Sequence, residues 1–376
     1  MKKTLIALAA VAATGASFAQ VTLSGSLGMS WQQAGTVTAS ANGQHVQGLG
    51  IQDGEIYITA TEDIGGGWGA TARGGWTMRG RGSPIVDRDA IVTLKTPAGV
   101  ITTGALRACG SMMAQLSGVV TGSVYSSNES NNFTPLNKCS MVDIVGFTTK
   151  VDSFTVGALY GELENRAINA SGALIAPSNT AVVSANTVND LGNGTGLTFT
   201  QLNGEYGNGP FVAGFDWTHF NAASMSVVYP LTGTAIGGAY LAADGLDRYR
   251  FYARYDAGFA KFAAGVQQWT GNMANQYVAS ATVPVGNFTF GLDYTARDAQ
   301  GAPSTAAIGA VGTALFGVRN GDKASSSVGV GMNYNFSKTT ILNASYITYT
   351  DAGVNTLTNT PAQLDNEYRI RLMKNF

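Results

Sequence analysis

From Val21 onward the chain alternates apolar and polar residues with a period of two. Val21, Leu23, Gly25, Leu27, Met29 and Trp31 fall in one series. Thr22, Ser24, Ser26, Gly28, Ser30 and Gln32 fall in the other. Successive side chains of a β-strand point to opposite faces, so this segment predicts a strand with one apolar and one polar face. A helix would mix the two sets. The pattern recurs. Trp68, Ala70, Ala72, Gly74, Trp76 and Met78 alternate with Thr71, Arg73, Thr77 and Arg79. Tyr249, Phe251, Ala253 and Tyr255 alternate with Arg248, Arg250, Tyr252 and Arg254. Phe288, Phe290, Leu292 and Tyr294 alternate with Thr289, Asp293 and Thr295; Tyr368, Ile370, Leu372 and Phe376 alternate with Arg369, Arg371 and Asn375.

Read this way, the chain holds sixteen strand segments: 21–33, 50–61, 68–79, 88–96, 100–107, 141–149, 153–163, 196–206, 211–220, 247–256, 259–270, 276–285, 288–298, 325–335, 339–350 and 366–376. The connections alternate between two kinds. Short ones, such as Glu62 to Gly67, Pro97-Ala98-Gly99, Gly207 to Pro210 and Gly286-Asn287, carry turn residues. Long, mostly polar ones occupy 34–49, 108–140, 164–195, 221–246, 299–324 and 351–365. Short turns on one rim and long loops on the other, with an even strand count, predict a closed antiparallel transmembrane β-barrel. Trp31, Trp68, Tyr160, Trp217, Tyr255, Trp269, Tyr294 and Tyr334 lie near strand ends, where interfacial aromatic girdles are expected.

Composition narrows the class. Charged residues make up only 12% of the 376, against about 25% in a usual soluble domain. Yet beyond the first residues no apolar run is long enough for a spanning helix. At the start, Lys2 and Lys3 precede an apolar run from Leu5 to Ala13, and Ser17-Phe18-Ala19 supplies small residues at the −3 and −1 positions. This predicts a secretory signal peptide over 1–19, cut before Gln20, with a single barrel over 20–376. An exported chain with few charges and no spanning helix suits a barrel with an apolar outer face. Removing Lys2 and Lys3 from the 22 basic residues leaves 20 against 23 acidic ones, and no basic run points to nucleic acid.

Several short motifs, in order along the whole mature chain, resemble the general Gram-negative porins, in particular those of β-proteobacteria. They are Val21-Thr22-Leu23-Ser24-Gly25, Glu62-Asp63-Ile64-Gly65-Gly66-Gly67 before Trp68, and Tyr206-Gly207-Asn208-Gly209-Pro210-Phe211. Tyr255-Asp256-Ala257-Gly258-Phe259-Ala260-Lys261 and Tyr334-Asn335-Phe336-Ser337-Lys338 follow, and the chain ends on Phe376. The resemblance implies a sixteen-stranded homotrimer in the outer membrane, in contact with its lipid and lipopolysaccharide. It also implies a C-terminal strand ending in Phe376 that the barrel-assembly machinery reads, and a third external loop folded into the lumen. Residues 108–139 hold that loop's position, with Glu129 its one acid and Lys138 near its end. The family's arginine ladder is matched by Arg88. The sequence departs from it where Ala105 follows Gly104, with Arg107 two residues on, and where Cys139-Ser140-Met141-Val142-Asp143 lacks an arginine. By position, 108–139 is the constriction loop.

The strand register assigns many cations to the water-facing series: Arg73, Arg79, Arg107, Arg248, Arg250, Arg254, Lys261, Arg297, Arg369 and Arg371. Arg88 has lipid-side parity, so it needs a bulge or a rim position, and its place in the lumen is what the resemblance implies. Glu55, Asp143, Asp216 and Asp293 are the acids expected there, and Tyr57 and Tyr252 the aromatics. A basic wall of this kind concentrates anions, so the expectation is a passive channel for small hydrophilic solutes that favours small anions. Its neighbours in expectation are a substrate-specific phosphate or organic-acid channel and a non-conducting structural or adhesive barrel. Cys109 and Cys139 bracket the loop and, in an exported chain, are expected to pair, against the alternative of two unrelated thiols. Closing a loop of that size stabilises by about 3–4 kcal/mol in the chain-entropy account. His45 and His219 are the two histidines, and no nucleophile elbow, P-loop or zinc signature occurs. The reading therefore includes no enzyme, metal or cofactor.

Overall fold

Alternation along the chain becomes pairing across it. The computed structural model describes residues 20–35, 46–78, 85–108, 119–120, 140–163, 197–222, 245–271, 273–301, 321–352, 354, 356–357 and 364–376. Sixteen strands follow in order: β1 (Gln20–Gly35), β2 (Val46–Gly65), β3 (Trp68–Thr77), β4 (Val86–Thr96), β5 (Gly99–Ala108), β6 (Ser140–Val151), β7 (Phe154–Leu163) and β8 (Leu197–Asn208). The second half comprises β9 (Phe211–Ala222), β10 (Leu246–Asp256), β11 (Lys261–Trp269), β12 (Gln276–Val285), β13 (Phe288–Arg297), β14 (Ser325–Asn335), β15 (Thr340–Ala352) and β16 (Leu364–Asn375). Each strand pairs antiparallel with its sequence neighbours, and β1 also pairs with β16, so the sheet closes into a barrel. Closure removes sheet edges, which is the condition for strands to cross hydrocarbon. At the seam Gly25 N donates to Phe376 O at 2.9 Å and Phe376 N donates to Gly25 O at 3.0 Å. The last residue of the chain thus helps close the cylinder.

All sixteen expected segments overlap strands; some strands run further, and others, such as β3 and β11, are shorter than the expected 68–79 and 259–270. β2 includes Glu62 to Gly65, which the sequence suggested as turn, because Ile64 is skipped in its pairing with β3. Such a bulge lets the ladder continue while it bends. Only Gly66 and Gly67 remain as the turn, at φ of 62° and 86°, a region glycine enters without steric cost.

Burial is inverted relative to a water-soluble protein. Leu23 is 62% exposed whereas Ser30 is 1% exposed. The apolar series faces outward along the strands, as lipid contact requires, and most polar side chains point into the lumen. Trp31, Trp68, Tyr160, Trp217, Tyr255, Tyr294 and Tyr334 belong to the outward series near strand ends. Trp269 does not. It pairs with Arg248 and faces the lumen, so it is no girdle residue.

Two further positions depart from the expected faces. Asp143 shares the series of the exposed Val145 and Phe147, while Val142 and Ile144 are buried on the inner side. Position 107 pairs with Met141 and continues the outward series of Ile101, Thr103 and Ala105. Arg107 therefore falls outside the inward register.

Candidate functional site

The inner wall carries its densest charge on β10. Going from the long-connection rim toward the short one, the inward series reads Arg248, Arg250, Tyr252, Arg254 and Asp256. Period-two geometry stacks these side chains in one column. Across on β9, Asp216 receives Arg250 Nε, with 2.8 Å to Oδ2, and lies 3.7 Å from Arg248 Nη2. One carboxylate thus serves two guanidiniums. Both members of the closer pair are buried, Arg250 being 4% exposed and Asp216 6%. Arg248 Nη2 also donates to Thr218 Oγ1 at 3.0 Å. Lower down, Arg254 lies 3.3 Å from Glu205 Oε2, to which the Tyr252 hydroxyl also donates. A Cβ at Gly214 would overlap the Tyr252 ring, so the glycine lets that tyrosine lie against the wall. At the short-connection rim Lys261 and Asp256 form an exposed pair at 3.3 Å.

Seven steps around the sheet from β10, β3 presents Arg73. Its Nη2 reaches Asp89 Oδ2 on β4 at 3.0 Å, and its guanidinium lies 5.2 Å from the Tyr57 ring centroid. Tyr57 donates to Glu55 at 2.9 Å. Arg88 is the residue left out where β4 pairs with β3, since Asp89 faces Gly75 and Asp87 faces Trp76. Of the two ways its parity left open, a bulge or a rim position, the backbone shows a bulge. Arg369 and Arg371 take the inward series of β16, beside buried Glu367, and Arg297 on β13 lies 3.9 Å from Asp322. Asp89, Glu205, Asp256 and Glu367 enlarge the set of inward acids beyond those expected. Arg79, Cys109, Glu129, Lys138 and Cys139 lie outside the described residues, as do the side chains of Arg88 and Arg107.

Of the connection between β5 and β6, Val119 and Val120 are described, and they lie in the lumen. Val119 and Val120 are buried against β13, β14 and β15, seven steps from β5 to β14 around the sheet. A Cβ at Gly291 would sit 2.7 Å from Val119 Cβ, and one at Gly329 would overlap Val120. Gly331 lies under the Val119 carbonyl, which accepts from Asn343 Nδ2 at 2.8 Å. Asn343 Nδ2 also donates to Asn333 Oδ1 at 2.7 Å. Val120 packs on Ile347, Tyr349 and Ala352. Three missing side chains and one amide thus form a seat for two valines on the far wall. Inward glycines at 291, 329 and 331 leave room on the wall, but nothing in the sequence says what fills it.

The wall is not polar throughout. Toward the long-connection rim, Val142, Ile144, Phe199, Phe220 and Leu246 form an apolar cluster, with Leu106, Leu159 and Trp269 packed on it. On the outer face of the same rim, His219 Nδ1 and Trp217 Nε1 both lie 2.8 Å from Asp247 Oδ1. Among the described residues no group of His, Cys, Asp and Glu could hold a metal ion.

The Gram-negative porin family matches residues 4–353. The chain belongs to that family. It is therefore an outer-membrane, channel-type barrel. Its fold is similar to the anion-selective porin from Comamonas acidovorans, with a TM-score of 0.58 at 16% identity, covering 96% of this chain and 100% of that one. The Salmonella typhi OmpF complex with daunomycin aligns with a TM-score of 0.60 at 11% identity, over 95% of this porin and 98% of that chain. Outer-membrane expressed OmpT of Vibrio cholerae aligns with a TM-score of 0.56 at 13% identity, over 95% and 97%. No curated protein sequence matches.

Proposed function

We propose that this porin passes small hydrophilic solutes by passive diffusion and favours anions. The observation that carries the reading is the inward column on β10, where Arg248 and Arg250 share Asp216 and Arg254 lies below them. A narrow lumen with low-dielectric walls concentrates the counter-ions of such a column. Arginine-lined pores favour anions for the same reason. Arg73, Arg297, Arg369, Arg371 and Lys261 add to the field, and Arg79 and Arg88 join them in this reading. The anion-selective Comamonas structure is in keeping with it. Residues 108–139, with Glu129 and Lys138, act as the constriction. Residues 1–19 are removed on export, the mature barrel associates as a homotrimer among lipid and lipopolysaccharide, and the barrel-assembly machinery recognises the end of β16 through Phe376. No cofactor enters the reading.

The reversal potential of the purified porin in a planar bilayer under a KCl gradient tests it. Stepwise conductance with a chloride-favouring potential is the expected result. A cation-favouring potential would keep the channel and remove the arginine argument. Silence would mean a closed, structural barrel.

Pairing of Cys109 with Cys139 tethers the two ends of the constriction segment. Alkylation of the unreduced, denatured protein is expected to leave its mass unchanged, and two added alkyl groups would rule the pairing out.

A further inference from the structure

Apolar side chains on the inner wall of an aqueous channel are costly unless something apolar meets them. The inward series of β8, β9 and β11 places Phe199, Phe220 and Trp269 side by side, where they meet one another. The Phe199 and Phe220 centroids are 6.0 Å apart, and Phe220 stacks on Trp269 at 5.8 Å with 24° between planes. Phe199 and Phe220 form the buried back of this shelf, and Trp269 and Leu159 are only partly buried at its front. Arg248 closes its lower edge. Its guanidinium carbon lies 5.9 Å from the Phe220 centroid and 5.6 Å from that of Trp269. The Arg248 side chain keeps 18% of its surface exposed, although its Nε is buried without a hydrogen bond among the described residues. Asp216 neutralises it only in part, because that carboxylate is shared with Arg250, which holds it at 2.8 Å, and stands 3.7 Å from Arg248.

We infer that this shelf is a selectivity subsite for aromatic carboxylates, such as benzoate, on their way into the lumen; the inference rests on the channel reading above. A flat apolar body stacks on Trp269 and Leu159, where ring contacts are favourable in offset or tilted geometry. The carboxylate then meets Arg248, whose planar fork suits two carboxylate oxygens. Past the buried Arg250, Arg254 is the next accessible cation in the column for release toward the short-connection rim. A small aliphatic carboxylate reaches the same guanidinium but gains nothing from the shelf. Inorganic anions likewise see only the charge. The shelf thus discriminates by the body of the solute and the column by its sign.

Bi-ionic reversal potentials with chloride, acetate and benzoate at neutral pH test this in wild type, Trp269→Ala, Phe199→Ala and Arg248→Gln. The expected result is a benzoate-to-acetate permeability ratio above that of free diffusion, falling about fivefold in Trp269→Ala with the chloride-to-potassium ratio unchanged. Arg248→Gln lowers both carboxylates relative to potassium. Should the variants not insert, wild type alone decides. Millimolar benzoate is expected to add blocking noise to the chloride current that acetate does not. Equal behaviour of benzoate and acetate in a chloride-conducting wild type overturns the subsite and leaves the channel intact. Absence of any chloride conductance overturns the channel itself, so the two failures are distinguishable.

Discussion

In single-channel recordings Gly329→Leu is expected to turn a steady open level into a larger and noisier one. A side chain at position 329 would occupy the space of Val120 Cγ1, and the buried Val120 has Ile347, Tyr349 and Ala352 on its other sides. Overpacking of this kind costs about 1–3 kcal/mol. Applied to a docked segment, that shifts its attachment equilibrium roughly 5- to 150-fold toward release. Gly291 and Gly331 remain, as does the Asn343 bond to Val119, so detachment is intermittent rather than complete. Gly204→Leu serves as the matched control, because a Cβ there meets nothing within 4 Å. A Gly329→Leu trace identical to that of the control would mean that the two valines do not limit the current.

Asp216→Asn is expected to make the pore more selective for chloride and the barrel less stable at once. The carboxylate is the shared counter-charge of Arg248 and Arg250, so its loss raises the lumenal charge by one unit at the column's head. In a confined, low-dielectric passage this raises the chloride-to-potassium permeability ratio by about threefold. The same change strands a guanidinium that is 4% exposed. Breaking a buried ion pair by removing one partner costs about 3–5 kcal/mol. A lower urea midpoint for unfolding, read on the purified barrel, is the stability signature. An unchanged permeability ratio beside a lowered midpoint would place β10 off the ion path while keeping the pair structural.

The barrel was legible because lipid and water impose opposite demands on alternate residues, and most strands obey both. At Arg88, lipid-side parity between Asp87 and Asp89 required either a bulge or a rim position, and the backbone shows the bulge. Misreadings cluster where that contrast fails. In β5 the series Val100, Thr102, Gly104, Leu106 and Ile101, Thr103, Ala105 differ little in polarity, so the face of Arg107 could not be fixed. In β6 the polarity is reversed, because Val142 and Ile144 belong to the lumenal apolar cluster, and this made Asp143 look inward. Trp269 was assigned by its nearness to a strand end, whereas its parity with Gln267 and Lys261 is what places it inside. The valine seat was illegible for a different reason. It joins residues 224 positions apart in the chain, and no local pattern reports a contact of that range.

That separation also dictates a sequence of events. The seat is built from β13, β14 and β15, the last strands but one to be made, whereas Val119 and Val120 are synthesised early. Contacts between distant parts of a chain wait on the closure of everything between them. The two valines therefore have nothing to grip until β13, β14 and β15 are paired. The contact of Val119 with Asn343 thus forms late, after the strands that carry its seat have come into register.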